Sequence, residues 1–125
     1  MKPVLLDTDI LIEVLRQRDA AILTQWRRIT GSTQPVLYTP VTAAELWHGL
    51  RPGEEAAALE VLGTLICVPL NDDIGRRAGD YLRRFHRSHG LALGDALIAA
   101  AAAVHGCALW TRNRKHYPMK DIELF

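Results

Sequence analysis

The chain has almost no net charge. Fifteen basic residues stand against fourteen acidic ones, a formal +1 at neutral pH, so no overall field announces a nucleic-acid binder. Cysteine is scarce: Cys67 and Cys107 are the only two, each inside an apolar run (LICVPL and GCALW). That excludes a disulfide-stapled secreted scaffold and predicts buried, inert thiols in a reducing compartment. Long hydrophobic runs are missing too. The longest, Ala96 to Val104, is mostly alanine and too short to span a bilayer. No basic segment followed by an apolar one opens the sequence, which argues against a signal peptide; a cytoplasmic place is expected. No repeat, low-complexity tract or linker interrupts the 125 residues, a length that fits one domain over 1–125.

What is present is ordinary for a folded domain, with 49% hydrophobic and 23% charged residues, which sets disorder aside. Twelve of the fifteen basic residues are arginine, the side chain suited to bidentate phosphate contacts. Four short apolar runs predict strands at 3–6, 36–39, 65–70 and 108–111, with a possible fifth at 122–125. None alternates strictly, so they fit a parallel sheet covered on both faces. Helical spacing predicts helices over 9–18, 20–29, 43–50, 55–62, 72–88 and 96–105. Pro52-Gly53 marks a turn, and Gly106 a helix end. The expected fold is an α/β three-layer sandwich with a central parallel sheet of four or five strands flanked by helices. In such sheets ligands bind beyond the carboxyl ends of the strands.

Acids collect at those ends. Asp7, Thr8 and Asp9 follow the first strand, Glu45 the second, and Asp95 opens the alanine-rich helix. Thr111, Arg112, Asn113, Arg114 and Lys115 follow the fourth strand. Brought together, two carboxylates repel by on the order of 1 kcal/mol in water and about 4 at an effective dielectric of 20. They must then take up protons or bind a cation. Oxygen ligands without cysteine or histidine favour Mg2+ or Mn2+ over Zn2+. A cation so held suits phosphodiester hydrolysis, and Arg112, Arg114 and Lys115 are placed to grip a phosphodiester backbone beside it.

The pieces LLDTDILIEVL, TAAELWHGL, LGDALIAAAA and TRNRKHYP, in this order and spacing, resemble the PIN-domain family, specifically the VapC type of ribonuclease toxin in type II toxin–antitoxin (VapBC) modules. The resemblance covers essentially the whole chain. It implies an endoribonuclease that needs Mg2+ or Mn2+, with Asp7, Glu45 and Asp95 as metal-binding acids and Thr8 as a supporting hydroxyl. It also implies a homodimer and a cognate antitoxin that blocks the site. The family often has a fourth acid after the fourth strand; this chain has Asn113 there, with His116 further on. An asparagine ligates through its carbonyl but adds no charge, which puts a second metal in doubt unless Asp9 compensates.

Each residue has a plainer reading. Asp7 or Thr8 caps a helix, as does Asp95. Thr42-Ala-Ala-Glu45 is a capping box by sequence. Asn113 shapes a turn. Arg76, Arg77, Arg83, Arg84 and Arg87, interspersed with Asp72, Asp73 and Asp80, form a solvated face. The alternative function is a non-catalytic RNA-binding or assembly module on the same fold. A phospho-receiver domain, a third reading, leaves Asp95 unaccounted for.

Overall fold

The computed structural model describes residues 2–125. In chain order the elements are β1 (Val4–Leu6), α1 (Thr8–Arg16), α2 (Ala20–Thr30), β2 (Val36–Tyr38), α3 (Pro40–His48), α4 (Glu55–Gly63), β3 (Ile66–Cys67), α5 (Asp72–His89), α6 (Leu93–His105), β4 (Ala108–Trp110) and β5 (Glu123–Leu124). A single 3-10 turn covers Arg114–His116. The five strands form one parallel sheet in the order β3-β2-β1-β4-β5. The chain therefore steps outward from β1 on one side, then returns to its other side with β4. That reversal opens a crevice at the carboxyl ends of β1 and β4.

Period-two side-chain alternation splits the core in two. Leu5, Leu37 and Leu109 face α5 and α6. Val4, Leu6, Val36 and Trp110 face the helices of the other layer, meeting Ile10, Val14, Ile22 and Ile29. The alanine-rich α6 buries Ala96, Ala99, Ala100, Ala101 and Ala102 at essentially zero exposure. Its thinness lets α5 pack closely against it, with Ile74, Ala78 and Tyr81 in the same core cluster. Ala100→Leu is expected to cost about 1–3 kcal/mol through overpacking, read as a lowered denaturation midpoint with unchanged slope; an unshifted midpoint would show room that this packing denies. No helix among the described residues is long and apolar enough to cross a membrane.

Several expectations need correcting. Cys67 is exposed rather than buried, while Cys107 is buried as expected. The cause is position: β3 is an edge strand of two residues, and both are exposed. α3 begins at Pro40, three residues before the expected start, because proline at a helix's first position loses no hydrogen bond. Glu45 thus lies in the second turn, not the first. α6 likewise begins at Leu93, so Asp95 is its third residue.

Candidate active site

Asp7 stands where β1 ends and α1 begins. Its backbone N–H donates to the Trp110 carbonyl at 2.9 Å, tying it to β4. Its side chain caps α1, accepting from the Thr8 N–H at 2.8 Å. The other oxygen, Oδ2, accepts from the Thr111 hydroxyl at 2.7 Å and from the Tyr117 hydroxyl at 2.9 Å. The carboxylate is 6% exposed. Burial pushes its pKa up, the three donors pull it down, and the charge of Asp95 adds to the rise.

Asp95 sits in the first turn of α6. Its Oδ2 accepts from the Ala92 N–H at 3.1 Å, so it steadies the helix start from the third helical position while Ala92, not Asp95, is the N-cap. Its Oδ1 lies 3.3 Å from the Tyr117 hydroxyl oxygen. His116 Nδ1 is 3.9 Å from Oδ2. One phenol therefore bridges the end of β1 and the head of α6. Burial, then the flanking Asp7 and Asp95 charges, hold the Tyr117 proton on far above the ordinary phenol range.

Asp9 lies one residue into α1. Its Oδ2 accepts from the Arg112 N–H at 3.1 Å, and its Oδ1 is buried with no hydrogen-bond partner. Its pKa is raised to about 6, by burial first and by the Asp7 charge second. Glu45 is exposed and joins through Thr8, whose hydroxyl donates to Oε1 at 2.7 Å with the Thr42 hydroxyl 3.2 Å away. The capping box is not formed: the N-cap is Thr39, and Glu45 reaches across to α1 instead. Gly94 at the head of α6 lies beside this carboxylate: a Cβ there would stand in ordinary contact with Val41 Cγ1 at 3.4 Å and Glu45 Oε2 at 3.5 Å.

The crevice thus joins Asp7, Asp9 and Asp95, with Glu45 one hydroxyl further out. Among the described residues, no three acidic, histidine or cysteine side chains converge on one point at ligating distance. The donor set still fits a hard divalent cation. It is all oxygen, two carboxylates are pushed toward protonation, and one buried carboxylate oxygen lacks any partner.

The basic residues divide. Arg112 shares Glu13 Oε1 with Arg18, at 2.8 and 2.6 Å, so its guanidinium is anchored while its backbone holds Asp9. Arg114 donates to the Phe125 carbonyl at 3.0 Å. Lys115 and Asn113 are exposed, and the Asn113 side chain caps nothing. On α5, Arg76, Arg77 and Arg83 pair with Asp72, Asp121 and Asp80, the arrangement of a solvated face. Sequence reasoning missed Tyr117 and the buried Glu13. A tyrosine after a basic loop gives no sign of its partners, and Glu13 is marked only by falling among apolar helix positions.

The PIN domain profile matches residues 4–122. The ribonuclease VapC10 of Mycobacterium tuberculosis is 39% identical over 117 residues, 93% of this chain and 86% of that protein. The solved structure of VapBC2 from Rickettsia felis bound to a promoter DNA fragment matches with a TM-score of 0.79 at 19% identity, covering 98% of this chain and 96% of that one. A toxin–antitoxin complex from Klebsiella pneumoniae matches with a TM-score of 0.75 at 24% identity, covering 97% and 99%. At these identities the two structures speak for the fold alone. On the profile and the sequence relative, the chain belongs to the PIN-domain family and, within it, to the VapC ribonucleases.

Proposed function

We propose that this chain is a Mg2+- or Mn2+-dependent endoribonuclease and the toxin of a toxin–antitoxin pair. One observation carries the metal-dependent reading: Asp7 and Asp95, from opposite ends of the sequence, lie within reach of one hydroxyl, beside an Asp9 oxygen that nothing satisfies. Asp7 and Asp95 hold the cation. Glu45 completes the set or positions the attacking water. The cation supplies a Lewis acid that offsets charge on the phosphodiester and makes water acidic enough to attack near neutral pH. Thr8 and Thr111 fix the acids, and the Arg112 N–H holds Asp9. Lys115, Arg114 and Arg112 steer the RNA backbone, and Asn113 offers a neutral ligand. The test is cleavage of RNA by the purified chain with Mg2+ or Mn2+, then after chelation; cutting that survives chelation sinks the metal-dependent reading.

A specific observation favours the second reading, a binding-only module: Glu45 is engaged by Thr8 and Asn113 brings no charge. Such a module takes up RNA without consuming it, whatever metal is added.

The toxin reading is supported by the sequence relative VapC10. An antitoxin segment is assigned to the groove of about 460 Å3 between α1, α2 and α4, where Val14, Leu15, Trp26, Ala57 and Val61 form an apolar floor and Gln17, Thr30, Glu60 and Thr64 supply polar partners, a mixed lining that suits an amphipathic helix. The chain acts as a cytoplasmic homodimer in this reading. Trp47 on α3 and Leu93 on α6 remain 44% and 62% exposed, apolar surface that a second subunit covers. Light scattering of the isolated chain is expected to give twice 13.9 kDa; the monomer mass overturns the dimer.

A further inference from the structure

Tyr117 follows the 3-10 turn after β4 and is 3% exposed. A buried tyrosine usually gives its O–H to one acceptor. This hydroxyl oxygen instead stands 2.9 Å from Asp7 Oδ2 and 3.3 Å from Asp95 Oδ1. A phenol has a single proton. Donated to Asp7, the nearer acid, it leaves a lone pair of the same oxygen facing Asp95. Two full anions about such an oxygen are ill-matched unless one takes up a proton or a cation stands beside them.

The acceptor count on Asp7 points the same way. Oδ2 takes two donors, Thr111 and Tyr117, while Oδ1 takes only the Thr8 N–H. A carboxylate oxygen has about two acceptor sites, so Oδ2 is filled and Oδ1 keeps one open. Packing alone does not need this hydroxyl, since phenylalanine fills the same ring volume and donates nothing.

We propose that Tyr117 is a positioning residue of the cation site: its hydroxyl, held between Asp7 and Asp95, sets the spacing of the two carboxylates and turns Asp7 Oδ1 toward a divalent cation. This rests on the cation-dependent reading above. Tyr117 acts through the acids and does not ligate.

The experiment is Mn2+ binding to the full chain by titration calorimetry, wild type against Tyr117→Phe, with thermal melts of both in chelator. The expected result is a folded variant whose Mn2+ affinity falls on the order of 10-fold, as for loss of a partner that orients a ligand. Unchanged or tighter binding overturns the role, because a purely structural hydroxyl moves only the melt. A wild-type chain that takes up no Mn2+ overturns this inference together with the cation-dependent reading, whereas a wild type that binds beside an equally good variant overturns this inference alone. Should Tyr117→Phe fail to fold, the wild type labelled with 3-fluorotyrosine decides. Its three tyrosine resonances are assigned with Tyr38→Phe and Tyr81→Phe. The Tyr117 signal is expected to shift saturably with Mg2+, and a signal that stays in place overturns the proposal.

Discussion

Asp7→Asn and Asp95→Asn are each expected to lower RNA cleavage by on the order of 10²–10³-fold, the equivalent of the several kcal/mol that a cation contributes to transition-state charge. The amide keeps the size of the carboxylate and removes its charge. At Asp95 the Ala92 N–H still finds an oxygen to donate to, so the first turn of α6 stays capped. At Asp95 the loss therefore falls on the cation and not on the fold. At Asp7 the amide nitrogen also faces one of the three donors, so Asp7→Asn is expected to lower stability as well. Rates of RNA cleavage at saturating Mn2+, alongside circular dichroism of each variant, check it. A variant cutting as well as the parent chain defeats the assignment of that acid.

The second large effect concerns the chain stripped of metal. Asp9 has a folded pKa of about 6 against an ordinary 3.8, and Asp7 is raised as well. A carboxylate whose pKa is raised by folding favours the folded state while protonated in it. Its contribution is fully present below pH 4 and is lost as pH rises through about 6. Asp121 and Glu54 have lowered values and act in the opposite sense, losing their stabilisation as pH falls. In chelator, then, the chain is expected to become less stable between pH 5 and pH 7.5. A divalent cation reverses the trend by standing in for the missing protons. The rise in Tm on adding Mn2+ is expected to be larger at pH 7.5 than at pH 5 by roughly 5 °C, given about 3–6 °C per kcal/mol for a domain of this size. Equal shifts at the two pH values contradict the electrostatic origin. No shift at either pH contradicts binding itself.

Much of this arrangement was legible because the signals are local. The apolar runs at β1 and β4 are buried on both faces, and their sequences say so. The acids follow strand ends, where a parallel sheet places its ligands. What stayed hidden depends on distant approach. Ala92 is extended and receives no side-chain signal, yet α6 starts there because Asp95 reaches back to its N–H. Glu45 reads as a local cap for Thr42; only the packing of α3 against α1 hands it to Thr8. Ile66 and Cys67 read as core because they are apolar, and the edge place of β3 is set by strands elsewhere. A tyrosine hydroxyl says nothing of its acceptors, one of which is 110 residues away.

That separation has a bearing on biosynthesis. During translation Asp7, Glu45 and Asp95 leave the ribosome before β4, Thr111 and Tyr117 do. Until β4 docks, β1 lacks one of its two neighbours and Asp7 lacks both hydroxyl donors. A nascent or truncated polypeptide thus carries the acids without the geometry. The assembled site is therefore expected only once β4 and the segment bearing Tyr117 have been made.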